Sequence, residues 1–437
     1  MASTTDRMGS ILNSSPVRFA LSFAAMAGLT SAPHAQETPR ASTAGEQAAQ
    51  RFRQREVPAG YNLRARPFAF EIRTGLSLEY NDNIFHEDQF VRDDFILRPS
   101  ANVRAYWPIT ELNALNFDLG IGYDYYFHHT SLNSDLPLIS PNSALSINLF
   151  VGDFRIEFHE RFSYQESLNT YSYDYQAGEV LNIDDIARFE RFQNTVGTTI
   201  RWDLNEAILA FGYDHENFLP QTAAYDYLER ASELFTLRAD LLASPQLKPG
   251  LEIKGSLHDY ANDAQGSRMG DHWRAGIGPS IDWTISQYLH FRAGAGYEAI
   301  RVDDPASQYD DEDTWYAYAR LHHRMNPWFT HWLDFRHGND PGYNALNIER
   351  TSIDYTTSWA AFRNIGLGTV LGVSLGQEGY GASKEDFTYY RAILRVSYQL
   401  GERWRSTLDY SLLNNSSDLA GRDYDQNRVT IGIEYRL

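Results

Sequence analysis

"GLSLEYNDNIFHEDQF", residues 75–90, changes character halfway along. In its first half Leu76, Leu78 and Tyr80 fall on one side of an extended chain, and Ser77, Glu79 and Asn81 fall on the other, because successive side chains of a strand point to opposite faces. From Asp82 to Asp88 the alternation stops and the chain becomes acidic and turn-prone. A strand with one oily face and one wet face therefore runs straight into a polar loop.

The same pairing of elements recurs to the last residue. "FRIEFHERFSY" (154–164), "LHFRAGAGYEA" (289–299), "TWYAYARLHHR" (314–324), "YYRAILRVSYQL" (389–400), "RWRSTLDYSLL" (403–413) and "RVTIGIEYRL" (428–437) all alternate with period two, the signature of half-buried strands. In the last of these Val429, Ile431, Ile433, Tyr435 and Leu437 share one face, and Arg428, Thr430, Gly432, Glu434 and Arg436 share the other. The connections alternate as well. Short ones ("GD" 152–153, "NPW" 326–328, "RNI" 363–365, "GER" 401–403) take turns with long acidic ones. The long ones include 129–143, 166–188, "DDPASQYDDED" (303–313), "GNDPGYNAL" (338–346) and "NNSSDLAGRDYDQN" (414–427).

Tight turns on one side and long loops on the other describe a bacterial outer-membrane barrel. The expected fold is all-β: a transmembrane, antiparallel, up-and-down barrel of about 18 strands. On this template residues 70–81 are the first membrane strand, and Asp82 opens the first external loop. Tyr80, Tyr126, Tyr164, Trp202, Trp283, Trp404 and Tyr435 stand near strand ends, where aromatic girdles anchor a barrel at both interfaces. Closure removes the unpaired sheet edges that hydrocarbon does not tolerate. A soluble propeller also has short alternating strands, but its repeat of about 40 residues is not visible.

Composition fits this reading. The 437 residues are 14% aromatic yet 22% charged, with a net charge of −19, which argues against a nucleic-acid partner, since phosphate binding needs a clustered basic surface. With no cysteine, a disulfide framework, a thiolate nucleophile, a cysteine zinc site and a lipidated N-terminal Cys are all excluded. Arg7 and Arg18 precede the apolar run "FALSFAAMAGL" (19–29) and the small residues of "TSAPHAQE". That is the pattern of a secretory signal peptide, and its core is too short for a membrane-spanning helix. The expected domains are a signal peptide over 1–35, cleaved after Ala32 or Ala35, then a largely disordered polar periplasmic tail over 36–67, then the barrel over 68–437.

The two ends of the chain carry a resemblance. "VPAGYNLRARPFAFEIRTGLSLEYNDNIF" (57–85) and "YSLLNNSSDLAGRDYDQNRVTIGIEYRL" (410–437) resemble the β-barrel porin 2 family, outer-membrane barrels linked to exopolysaccharide export. The residues that carry the likeness are Arg64, Arg66 and Pro67, then Asp82, Asn83, Ile84 and Phe85, and at the far end Tyr410, Asn415, Ser416, Asp418, Tyr424, Asn427, Arg428 and Val429. Leu437 stands where many such barrels end in Phe or Trp. The resemblance implies an outer-membrane conduit for polysaccharide in a Gram-negative bacterium, meeting outer-membrane lipid and lipopolysaccharide, with a periplasmic export component as a further partner.

No local motif marks an enzyme. His128/His129 and His322/His323 are adjacent pairs, and on a strand adjacent side chains point to opposite faces, so neither pair is expected to converge on a metal. "DDPASQYDDED" lacks the spaced ligands and turn glycine of a calcium loop and reads as a solvated acidic run. No metal or cofactor is expected. If Val429, Ile431 and Ile433 face lipid, then Arg428 and Arg436 face the lumen, and parity adds Arg405, Arg391, Arg395 and Arg73 on neighbouring strands. These six arginines stand among Glu71, Glu79, Asp409 and Glu434. Two readings stay open. The arginines form an electropositive sector guiding an anionic solute, since guanidinium forks match carboxylates, or they pair with those four carboxylates and stiffen the wall. Tyr316, Tyr318 and Tyr389 also fall on the lumen by parity and are candidate stacking residues for a glycan. Glu160 has the parity of Phe154, Ile156, Phe158 and Phe162; either a β-bulge resets the face there or the residue lies near the outer interface.

Fold alone does not fix function, so three readings are carried forward: an exopolysaccharide conduit, a general diffusion porin for small polar solutes, and an outer-membrane hydrolase built from converging loops.

Overall fold

The computed structural model describes residues 60–133, 136–165, 189–261, 269–303, 310–342, 345–379 and 384–437, with the backbone of 173–174 and 179–180. The expected signal peptide, the tail before Gly60 and most of the loop 166–188 lie outside these residues.

Eighteen long strands build the wall. They are β1 (Phe68–Asn81), β2 (Asp94–Pro108), β3 (Ala114–Gly122), β4 (Ala144–Val151), β5 (Phe154–Gln165) and β6 (Arg191–Asp203). Next come β7 (Ala207–Pro220), β8 (Arg230–Leu241), β9 (Leu247–Tyr260), β10 (His272–Ser286), β11 (Leu289–Val302) and β12 (Glu312–Asn326). The wall ends with β13 (Phe329–Pro341), β14 (Asn347–Phe362), β15 (Ile365–Glu378), β16 (Glu385–Gln399), β17 (Trp404–Ser417) and β18 (Tyr424–Arg436). Each pairs antiparallel with its sequence neighbours, and β1 pairs with β18 from Arg73↔Arg436 to Asn81↔Arg428, which closes the sheet. Two expected loops are shorter than their polar composition suggested. Strand pairing runs through Pro341 and through Ser417, because a polar residue is no obstacle to the ladder where a strand rises above the membrane.

Burial alternates as the pattern requires. On β1, Leu76 and Leu78 are exposed while Glu71 and Glu79 are buried, and on β18 Val429, Ile431 and Ile433 are exposed. The apolar residues face outward, toward lipid, and the charged ones face the interior: the inside-out arrangement of a membrane barrel. This is an outer-membrane β-barrel. Gly60, where the described residues begin, Leu437 and the short turns share one side, which in such barrels is the periplasm. Near that side Phe154 stacks on Trp202 at 5.3 Å, and Trp404 packs tilted against Tyr435 at 4.7 Å. Two of the expected girdle residues differ. Tyr126 and Tyr164 are buried; Tyr126 lies beyond a break in β3 where the alternation is lost, and the Tyr164 hydroxyl donates to Glu190 at 2.8 Å.

The end of the polar tail is also structured. Leu63–Ala65 forms a short strand that folds back antiparallel on Phe68–Phe70. Tyr61 is buried with Ala69, Tyr106 and Ala114 on the inner wall, and burial pushes its phenol above the usual value. The polar composition of 36–67 conceals this aromatic anchor.

The register of β5 against β6 runs without a shift from Arg191↔Gln165 to Trp202↔Phe154. No bulge resets the face at Glu160, which points outward and accepts a hydrogen bond from Asn194 Nδ2 at 3.1 Å.

Candidate functional site: the lumen wall

The inner face is a charged mosaic laid down by alternation, with strand register deciding who meets whom. At the closure seam Glu71, fully buried, receives Arg73 at 2.9 Å, Arg104 at 3.0 Å and Arg436 at 2.8 Å. Arg73 also reaches Glu434 at 3.7 Å, and Arg104 reaches Asp118 at 3.4 Å. Higher on the seam, Arg98 bridges Glu79 and Asp124, and Thr430 Oγ1 donates to Glu79 at 3.1 Å. Arg428 lies beside Ser411, with Nη2 at 3.4 Å from its hydroxyl. Arg405 stands opposite Gln399 and Glu434 in the register.

Two strands further on, Arg395 grips Asp409 with both arms of its guanidinium, Nη2 lying 2.7 Å from Oδ2. Arg391 pairs with Asp354 across the intervening β15. That reach depends on Gly372, which sits between them; a Cβ there would fall 2.2 Å from Asp354 Oδ1. Glu71, Asp409 and Glu434 thus each meet an arginine from the candidate set, while Glu79 is met by Arg98. Arg98, Arg104, Asp118, Asp124 and Asp354 belong to the same network and were not singled out from sequence.

The three tyrosines divide. Tyr316 and Tyr318 on β12 lie flat along the inner wall over β11, where Gly294 and Gly296 stand opposite them; a Cβ at either glycine would come within 2.6 Å of a ring. The Tyr318 hydroxyl donates to Glu252 at 2.7 Å, and Lys254 Nζ stands 4.0 Å from the centroid of Tyr316. Glycines in a strand are commonly covered by an aromatic ring in this way, and the flat pose keeps two bulky side chains from projecting into the lumen. Tyr389 instead packs into an apolar cluster with Ile348, Phe387, Leu413 and Tyr424. Tyr316 and Tyr389 are only 6% and 4% exposed, so neither offers an open ring face to a passing sugar.

On the far wall Arg238 pairs with Asp240 at 2.8 Å, Asp282 takes Lys248 at 3.6 Å and His290 at 3.1 Å, and Arg320 pairs with Asp334. At the external mouth Phe189, Leu228 and Met269, from three loops, pack on Phe218 and Tyr260. A three-ten helix over Ala223–Leu228 carries Leu228 into this cluster.

The histidine pairs behave differently from each other. His322 stacks on Trp332 inside at 5.2 Å, while His323 meets His331 outside at 3.0 Å, as opposite faces require. His128 and His129, by contrast, both turn to Asp94, at 3.3 and 3.0 Å. They follow Phe127 in a loop rather than a strand, so the opposite-face rule does not apply there. Among the described residues no group of three or more His, Asp or Glu is placed to hold a metal.

No protein-family model and no curated protein matches the chain. Solved structures similar to it include OpdK of Pseudomonas aeruginosa with vanillate, at 13% identity and a TM-score of 0.45, covering 84% of this chain and 99% of that one. OccK2 (OpdF) of the same organism with glucuronate is similar at 11% identity and 0.46, covering 84% and 98%. OccAB3 of Acinetobacter baumannii is similar at 10% identity and 0.45, covering 84% and 99%. The architecture stands on the closed register and the outward apolar band.

Proposed function

We propose that the chain is a diffusion channel for small polar solutes. The observation that carries this reading is the inner wall, where arginines and carboxylates alternate in close pairs, such as Arg73 with Glu71 and Arg395 with Asp409. A wall of paired charges keeps water and polar solutes at low electrostatic cost without a single-sign field. The diameter of a barrel grows with strand number, and at 16–18 strands porins enclose an aqueous channel. No catalytic step is part of this reading.

The export conduit implied by the family resemblance calls for open aromatic faces along the lumen, and the low exposure of Tyr316 and Tyr389 favours the diffusion reading over it. The test is reconstitution of the folded protein in liposomes, with swelling measured in isotonic pentose, hexose and small carboxylic acids. Swelling that slows as solute size rises supports the proposal. Liposomes that stay closed to every small solute would remove it.

A further inference from the structure

On the outer wall, carboxylates stand away from the strand ends along one row. Among the described residues, the outward carboxylates Asp259, Asp313, Glu349, Asp386 and Asp425 all lie within two residues of an external strand end. Glu160 and Glu233 are different. Glu160 faces Val196 in the register, Val196 faces His215, and His215 faces Glu233, so the row crosses β5 to β8. Glu160 is six residues along β5 from Phe154, whose ring stacks with Trp202 in the periplasmic girdle. At about 3.3 Å per residue and a tilt of about 40°, that is a climb of about 15 Å. The outer apolar band of such barrels is about 25 Å tall, so Glu160 stands near its middle.

Within the chain the row is stitched together. Asn194 Nδ2 donates to Glu160 at 3.1 Å, the Tyr213 hydroxyl donates to Glu233 at 2.6 Å, and His215 Nδ1 lies 2.9 Å from Glu233. On its periplasmic side Phe158 and Phe235 stand two residues along from Glu160 and Glu233, with Phe211 and Trp202 further along, all exposed on outward positions. Aromatic residues are enriched at protein interfaces. Hydrocarbon offers no hydrogen bonds, and polar groups left against it are costly. Lipopolysaccharide headgroups sit at the membrane surface, well above Glu160. The covering partner must therefore be a protein wall at the same depth.

We propose that this partner is a second copy of the chain, and that the outward face of β5–β8 is a subunit contact with the Glu160–Glu233 row at its centre. Asn194 Nδ2 is spent on Glu160 and the Arg161 carbonyl and His215 Nδ1 on Glu233, which leaves His215 Nε2 to bond outward beside the carboxylate acceptors, so an inverted copy sets each imidazole against the other's Glu160, as a symmetric contact requires.

The test uses the full chain in its own outer membrane, with a photo-crosslinking residue at Val196 and, as control, at Ile431, which faces outward on β18. Illumination is expected to give a product of twice the monomer mass from Val196 and none from Ile431. In the Val196 background, Glu160→Leu with Glu233→Leu is expected to cut that product at least fivefold while the barrel keeps its folded, heat-modifiable gel mobility. Absence of any product from Val196 in the folded protein would place the face in lipid and overturn the proposal. A product of another mass, meaning a different protein, would overturn it as well.

Discussion

Substituting Asn83 by alanine probes the barrel's closure directly. Asn83 is fully buried. Its Nδ2 donates to the Glu87 and Asp425 carbonyls, both at 2.9 Å, and its Oδ1 accepts from the Glu87 amide at 3.0 Å. Asp425 lies on β18, so one of these bonds crosses from the first loop to the last strand. Around it Gln426 Nε2 donates to the Asn83 carbonyl at 2.6 Å, and Asn427 bonds the Asp82 carboxylate through N and Nδ2 at 2.7 and 2.8 Å. Three side-chain hydrogen bonds at a net worth of about 1 kcal/mol each give a loss of about 3 kcal/mol for Asn83→Ala. Asn414→Ala, which loses one bond to Asp425 at an exposed position, is expected to stay within about 0.5 kcal/mol. The assay is urea unfolding of the refolded protein in lipid vesicles, following the folded band on gels run without heating. A loss of less than about 0.5 kcal/mol for Asn83→Ala would refute the argument that this side chain clasps the seam.

Three further outcomes follow from the inner wall. Gly372→Val places a branched side chain where Asp354 and Arg391 meet, and overpacking of this kind is expected to lower stability by about 1–3 kcal/mol, measured in the same unfolding assay. Gly294→Leu with Gly296→Leu evicts the rings of Tyr318 and Tyr316 from the wall, so single-channel conductance is expected to fall while the strand signal in circular dichroism is kept. Reversing charge at Arg391 and Arg395 leaves Asp354 and Asp409 facing new carboxylates. Under a salt gradient across a planar bilayer, the reversal potential is expected to move toward cation selectivity, and an unchanged potential would take these residues out of the conduction path.

Much of the fold was legible because period two is a local property. Leu76, Leu78, Ile431 and Ile433 announce an oily face without knowledge of any neighbour, and closure follows from where those faces must go. The motifs at the two chain ends acquire a physical meaning only in three dimensions, since Asp82 and Asn83 clasp Asp425 and Asn427 from 342–345 residues away. Pairing partners were out of reach for the same reason. Alternation places Arg391 on the inner face, but only the register across Gly372 delivers it to Asp354, and nothing near Glu71 in sequence announces Arg104. Local rules failed where the local conformation changed. His128 and His129 escape the opposite-face rule in a loop, and Tyr126 turns inward beyond a broken strand. Glu160 was legible as an anomaly, and the unbroken register turns that anomaly into a surface.

A diffusion channel is defined by what crosses the membrane through it. The decisive measurement is a clean deletion strain, assayed in parallel for small-solute permeability of the outer membrane and for surface-attached and secreted polysaccharide. A diffusion channel predicts that permeability to small polar solutes falls, is restored by the wild-type chain, and leaves polysaccharide unchanged. Loss or periplasmic trapping of polysaccharide with permeability intact would contradict it and make the barrel an export conduit.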